Sequence, residues 1–305
     1  MSGVTTVGLT KTYGATSALA GIDLIVPPGA MYGLVGPNGS GKTTALEILA
    51  GLRRPSSGSV ALGVPADRVA YCPDAAEFEP WLTARETLEA SASLQGATPS
   101  PSTFADLLDR VGLSQATDRR VGGFSRGMTS RLSLAAGLIG EPRLLIADEP
   151  AAALDPAGRW EIIELLAELA GAITVLVSSH DLAEVERICD TIGVLSLGRL
   201  VYQGPLAELL AQAAPALRVV VRPPAMEIAD AFEAAERVRA VHQDAPGEFR
   251  IDLADAVTAE TELPRVLAEC GARLLAVDRA GVSLQDIFFE LTATGPNEHR
   301  TSSDP

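Results

Sequence analysis

At 305 residues the chain is long enough for one large core and a second, smaller one. Its 39 acidic residues outnumber 24 basic ones for a formal charge of −15, which argues against nucleic acid as a partner, because phosphate tracks need clustered Lys and Arg. No apolar run approaches the roughly 18 residues of a membrane-spanning helix, and no basic-then-apolar leader opens the chain, so a cytoplasmic protein is expected.

From Val4 to Val26 the pattern reads as short apolar strands broken by Gly14 and Gly21, with a turn at Pro27-Pro28-Gly29. Ala30 to Val35 is an apolar strand, followed by a Gly-rich loop and a helical stretch from Lys42 to Ala50. The loop, Gly36-Pro37-Asn38-Gly39-Ser40-Gly41-Lys42-Thr43, fits G-x-x-x-x-G-K-[ST] at every fixed position and has the strand before and the helix after that the motif demands. Its glycines let backbone N–H groups curl around phosphate oxygens, and the helix N-terminus points partial positive charge at the same anion. Only Lys11 and Lys42 are lysines, and one of the two falls inside this pattern. Lys42 is the expected point charge for the β- and γ-phosphates, Thr43 the Mg²⁺ ligand, and Thr44 a contact to the α-phosphate. By itself the loop marks a P-loop nucleotide-binding protein, a class that includes kinases and GTPases.

Residues 73–120 read as helical, with polar loops near Gly96 to Pro101. Leu144 to Ala147 is a second buried strand and delivers Asp148-Glu149-Pro150 at its end. Side chains alternate along a strand, so the two carboxylates are free to take different tasks. Asp148 suits the shell of Mg²⁺, and Glu149 suits polarising a water beside the γ-phosphate. Asp155 is placed to cap a helix whose first position is Pro156. A third buried strand, Ile173 to Ser178, precedes Asp181 and Glu184, a capping-box-like start. Buried strands alternating with helices imply a mostly parallel sheet with ligands at the carboxyl ends of its strands.

After Gly204-Pro205 and a short helix, strands are expected at Leu217–Val221, Phe249–Leu253 and Arg273–Val277. Helices are expected near Ile228–Val241, Glu262–Cys270 and Ser283–Leu291. This describes a small α+β domain, followed by a polar, disordered tail. Cys72, Cys189 and Cys270 match neither a zinc spacing nor a disulfide framework. The phosphate loop occurs once, giving one such module per chain.

Between loop and hydrolytic strand lies Phe124-Ser125-Arg126-Gly127-Met128. It resembles the ABC signature, usually LSGGQ, in the form common among ATP-binding subunits of multidrug- and antibiotic-exporting ABC transporters. Ala153-Leu154-Asp155 resembles the D-loop, His180 the switch histidine, and Tyr13 the aromatic that stacks on adenine. The resemblance covers about residues 4–210, in the family's order. It implies an α/β fold: a P-loop ABC ATPase domain over 1–212, with a mixed sheet and a helical subdomain at about 73–130. An accessory α+β domain would occupy 213–292 and a disordered tail 293–305.

The resemblance also implies ATP and Mg²⁺ as cofactors and ATP hydrolysis coupled to transport. Ser125, Arg126, Gly127 and Met128 would meet the ATP held by an opposite subunit, in a homodimer or a paired ATPase, with Asp155 at the junction. In that scheme the Ser125 hydroxyl and the Gly127 N–H form a second anion cradle at a helix N-terminus, and His180 senses or orients the γ-phosphate. A separate polytopic membrane permease would dock on the helical insertion and hold the chain at the cytoplasmic face of the membrane. The ending Val282 to Thr292 is similar to the accessory domain behind such exporter ATPases, which favours export of a drug-like or lipid-like substrate. The family usually carries Gln, sometimes Glu, where Tyr71-Cys72-Pro73 here leads to Asp74. Asp74 is shorter and charged, and still offers an oxygen to Mg²⁺ or to the attacking water.

The rival is a soluble ABC ATPase acting in cofactor or macromolecular assembly. Translation-type members carry two modules with a basic linker, and DNA-repair types insert a long coiled coil; neither pattern is present. A small-molecule kinase leaves Ser125–Met128 and His180 unexplained.

Overall fold

The computed structural model describes residues 3–212, 216–222, 226–233, 238–253, 264–269, 272–280 and 284–293. Contacts divide the chain into two compact units, Met1–Leu206 with Leu291–Pro305, and Ala207–Glu290.

The first unit opens on an antiparallel sheet. Strand β1 (Val4–Tyr13) pairs with β2 (Thr16–Ile22), β3 (Ile25–Val26) and β5 (Ser57–Leu62). Gly14 turns the chain between β1 and β2. Gly21, expected to interrupt a strand, instead lies within β2. The register steps from Leu9↔Ile22 to Thr10↔Ala20, so Gly21 is the extra residue of a β-bulge, at φ +88° where a side chain would be strained.

A six-stranded sheet lies behind it in the order β10-β9-β4-β8-β7-β6. Its strands are β4 (Met31–Val35), β6 (Val69–Cys72), β7 (Leu144–Asp148), β8 (Thr174–Ser179), β9 (Thr191–Ser196) and β10 (Arg199–Pro205). All are parallel except the edge strand β10, which runs back along β9. Strands β4, β7 and β8 are buried along their whole length, which is why they read as continuous apolar runs rather than alternating ones. Helix α1 (Lys42–Leu49) follows β4, and its Leu46 and Leu49 join Leu34, Ile146 and Leu176 of the parallel sheet and Leu9 and Leu19 of the antiparallel one in a single core. Each such buried leucine contributes roughly 1.5–3 kcal/mol over an exposed one, so the loop between β4 and α1 hangs from a rigid support.

Helices α2 (Ala84–Leu94), α3 (Pro101–Arg110) and α4 (Arg126–Leu138) form a helical layer, with α2 and α3 packed on α4 and α4 against β6 and β7. Thr83 and Glu86 close a full capping box on α2. Asp155 caps α5 (Pro156–Glu168), accepting from the Gly158 amide at 2.9 Å, with Pro156 in the first turn as expected. Asp181 caps α6 (Leu182–Ile188), accepting from the Ala183 amide. The reciprocal half of that box does not form: Glu184 is drawn instead to the Ser179 hydroxyl and Arg159.

The second unit holds α7 (Leu206–Gln212, its first residue in the first unit), α8 (Met226–Glu233), a helix α9 at 264–269 and an antiparallel sheet in the order β12-β13-β11-β14. The strands are β11 (Ala216–Val221), β12 (Val238–Ala245), β13 (Glu248–Leu253) and β14 (Leu274–Ala280). The last helix, α10, spans Leu284–Ala293. Of the helix expected over Ile228–Val241, the described part runs to Glu233, and Val238 onward is strand. Val238 and Val241 pack on the core of Val219, Phe249 and Ile251 while their backbone ladders with β13, a place where β-branched residues gain more than in a helix. Cys270, Val282, Ser283 and the tail after Ala293 lie outside the described residues.

Candidate active site

Strands β4, β8 and β7 are adjacent and parallel, in a register that pairs Val35 with Ser179 and Asp148 with Ser178. The loops leaving their carboxyl ends therefore emerge side by side, at the edge where open α/β sheets bind ligands. These are the Gly36–Thr43 loop, the turn after Asp148, and His180.

In the first loop, Gly41 stands at φ +106°, and a Cβ there would come within 2.6 Å of the Ala18 carbonyl. A Cβ on Gly36 would collide with the Leu195 carbonyl. Both glycines are thus required by sterics, and they leave the first-turn amides of α1 without a side-chain cap. Pro37, Asn38 and Gly39 form the exposed tip, with Gly39 at φ +80°. Lys42 is buried, and its Nζ donates to the Gly36 carbonyl at 2.8 Å and to that of Pro37 at 3.5 Å. The same ammonium lies 3.6 Å from Glu149 Oε1. Ser40 is buried, and its Oγ has no hydrogen-bond partner among the described residues. Thr43 is exposed and Thr44 half-buried on the first turn of α1.

The two carboxylates ending β7 differ sharply. Asp148 is 1% exposed; its Oδ1 accepts from Ser178 Oγ at 2.5 Å, while Oδ2 is buried without a hydrogen-bond partner among the described residues. Burial pushes the Asp148 carboxyl above the usual range. The Ser178 and Thr43 hydroxyls oppose that shift, and the negative charges of Glu149 and Asp74 add to it. The Thr43 hydroxyl is thereby placed against Asp148, whereas Asp74, exposed just after β6, acts on it only through its charge. Glu149 leaves the strand in a left-handed conformation at φ +49°. Its amide donates to Ser178 Oγ at 2.9 Å and to the Ser178 carbonyl at 3.2 Å. Its Oε2 lies 2.7 Å from His180 Nδ1 and accepts from the His180 amide at 3.3 Å. Lys42, Glu149 and His180 thus form one connected chain.

Ser125 caps α4, its hydroxyl accepting from the Met128 amide at 3.2 Å. A Cβ on Gly127 would come within 2.9 Å of Leu154 Cδ2 and 3.3 Å of the Ala153 carbonyl, so the start of α4 is seated against the loop after β7. Ser130 Oγ ties the same helix to the Pro150 carbonyl at 2.6 Å. Arg119 braces the approach by donating to the Gly123 carbonyl and lying over the Phe124 ring. Arg126 is exposed and Met128 half-buried, and Asp155 is spent on its helix cap. The described contacts of Ser125–Met128 are with α4 itself, with Arg119 and, at Gly127, with this neighbouring loop. Tyr13 is exposed, its ring flanked by Lys11 Nζ at 5.2 Å and the Arg53 guanidinium at 5.4 Å, beside Glu47 of α1.

Three residues of the neighbourhood were not singled out from sequence. Ser178 bridges Asp148 and Glu149. Ser179 accepts from the Asp181 amide at 3.0 Å and donates to Glu184 at 2.8 Å. Arg159 of α5 reaches Asp181 at 3.0 Å and Glu184 at 3.3 Å. The signal for the serines was available: two hydroxyls closing an otherwise apolar buried strand have to bond to something.

Known proteins resemble this chain in sequence and in fold. A family profile described as "ABC transporter" matches residues 19–152, from β2 through the phosphate loop to the turn after Glu149. An uncharacterized ABC transporter ATP-binding protein of Bacillus subtilis, YxlF, is 38% identical over 210 residues, covering 67% of this chain and 71% of its own. The daunorubicin resistance ATP-binding protein DrrA2 of Streptomyces coeruleorubidus is 34% identical over 317 residues, covering 96% of this chain and 94% of its own. The chain belongs to the ATP-binding subunits of ABC transporters. Among solved structures, the ATP-binding cassette MJ0796, in a dimeric post-hydrolysis state bound to ADP and Pi, superposes with a TM-score of 0.62 at 25% identity, over 67% of this chain and 98% of that one. The ABC ATPase described here is therefore an ATPase cassette of α/β fold with a mixed sheet. Among its described residues no helix is long and apolar enough to cross a membrane.

Proposed function

We propose that this ABC ATPase powers export of a drug-like or lipid-like substrate through a separate membrane permease, by ATP-driven closure of two ATPase subunits. The observation that carries the reading is the convergence of Lys42, Asp148, Glu149 and His180 at the carboxyl edge of three adjacent strands. The phosphate loop cradles the triphosphate on backbone amides, with Gly36 to Thr44 in the roles that the loop pattern gives them. Lys42 exchanges its carbonyl partners for β- and γ-phosphate oxygens. Tyr13 offers its exposed ring to adenine.

The residues around Asp148 fit a divalent cation. A buried carboxylate oxygen without a partner, beside the Thr43 hydroxyl, is a hard-oxygen donor set of the kind Mg²⁺ takes. Among the described residues no three His, Cys, Asp or Glu side chains converge as a ligand set. Such an ion would be held by Thr43, Asp148 and, from further out, Asp74, with phosphate and water completing its shell. When bound it supplies charge neutralisation at the phosphates. Glu149, steered by His180, polarises the attacking water.

Ser125, Arg126, Gly127 and Met128 present a capped helix start with Ser125 and Arg126 exposed, which suits contact with ATP held by a second copy or a paired subunit, with Asp155 at the junction. The helical layer α2–α4 is the expected dock of the permease, which would place the subunit at the cytoplasmic face of the membrane. DrrA2, a drug-resistance protein that matches over nearly its whole length, supports export. Residues 213–292 are read as an accessory domain behind the ATPase domain of 1–212.

The test is steady-state ATP hydrolysis by the full chain. Lys42→Ala is expected to lower turnover by about a hundredfold or more, since removing a preorganised charge from a phosphate site costs on that order. Full turnover in that variant would overturn the phosphate-loop assignment.

A further inference from the structure

We propose that Ser178 is a positioning residue for ATP hydrolysis, one hydroxyl that holds both the Asp148 carboxylate and the Glu149 backbone at the end of β7. The inference rests on the reading of Glu149 as the group that polarises water, and adds a residue that acts through it.

A serine hydroxyl has one hydrogen and two lone pairs. At Ser178, which is fully buried, the hydrogen goes to Asp148 Oδ1 at 2.5 Å and a lone pair receives the Glu149 amide at 2.9 Å. The Ser178 carbonyl takes a second share of that amide at 3.2 Å. Glu149 is one of three non-glycine residues at positive φ among the described residues, a region that side chains rarely occupy unless neighbouring structure over-determines it. Ser178 is that neighbour. Without the turn at φ +49°, Glu149 would continue the line of β7 instead of swinging toward Lys42.

The far end of the same side chain is held by the same strand end. Two residues after Ser178, the His180 amide and Nδ1 both meet Glu149 Oε2. Strand β8 and the residue that follows it therefore grip Glu149 at its backbone through Ser178 and at its carboxylate through His180. A buried serine needing only satisfaction would be content with a backbone carbonyl; here the hydrogen is spent on the carboxylate next to the proposed metal position. The hydroxyl also sets which Asp148 oxygen is occupied, leaving Oδ2 as the unpartnered one.

The experiment is single-turnover and steady-state ATP hydrolysis on the full chain carrying Ser178→Ala, and the equal-volume pair Ser178→Thr and Ser178→Val, alone and combined with Glu149→Gln. Displacing a catalytic group by about an ångström costs on the order of a hundredfold. Ser178→Ala should therefore lower kcat by about ten- to a hundredfold, with the KM for ATP changed less than about threefold. Ser178→Thr should exceed Ser178→Val by about tenfold, because the two fill the same space and only one carries the hydroxyl. In the Glu149→Gln background the loss from Ser178→Ala should shrink to less than about threefold, as expected of residues acting as a unit. Wild-type kcat in Ser178→Ala, equal rates for the Thr and Val variants, or an undiminished loss in the Glu149→Gln background would each overturn the proposal. Full turnover in Glu149→Gln alone would instead sink the underlying assignment of Glu149, a separate result.

Discussion

Asp148 holds its charge where burial disfavours it. The carboxyl is pushed above its ordinary range chiefly by burial, so between the unfolded and the folded pKa the native state binds more protons than the unfolded chain. Stability drawn from this group therefore falls as pH rises through that window. Asp148→Asn removes the titration while Oδ1 can still accept from Ser178. The variant is expected to melt at a higher temperature than the parent at neutral pH, with the gain shrinking as pH falls through that same window toward the ordinary Asp value, and to lose hydrolysis. Thermal melts across pH check this; a gain that grows toward acid would contradict the sign. Such an exchange of stability for activity is usual at sites that hold charge for a ligand. The identities of Lys42, Asp148 and Glu149 were legible from local spacing. The left-handed turn at Glu149 and its anchor on Ser178 were not, because they depend on which strand lies beside β7, a pairing across 30 residues of chain.

Helix starts were the most readable elements. Asp155 followed by Pro156 carries its cap in two adjacent letters, and the structure places the bond as expected. Asp155→Ala should cost about 1 kcal/mol and lower the melting temperature by about 2–4 °C, whereas Asp155→Asn, an equally good cap, should stay within about 0.3 kcal/mol of the parent. Equal melting of the two variants would mean the cap is not what Asp155 contributes to stability. The start at Asp181 was read correctly as a cap and wrongly as a box. Glu184 had a better offer from Ser179, five residues before it, and from Arg159, which is distant in sequence. The segment from Ile228 to Val241 failed for a related reason: helical spacing continues past Glu233, but β13 supplies a ladder for Val238 onward. Local pattern loses wherever a long-range partner outbids it.

At the scale of the whole molecule, the alternation of buried strands and helices announced the parallel sheet, and the loop, signature and carboxylates announced the family. The mutual arrangement of the two sheets around Leu46 and Leu49 could not be read from either alone. The start of α4 is more telling. Ser125 is exposed and caps its own helix, bonding within it to Met128 and Thr129, while Gly127 two residues on is seated against Leu154. In the proposed function this exposed helix start is half of a catalytic pocket whose complement a second subunit has to supply. The most direct measurement is the solution mass of Glu149→Gln by light scattering with ATP and Mg²⁺. ATP-driven closure requires a particle of twice 31.7 kDa that reverts to 31.7 kDa when Ser125→Arg is added. A Glu149→Gln chain that binds ATP and remains at 31.7 kDa would contradict it.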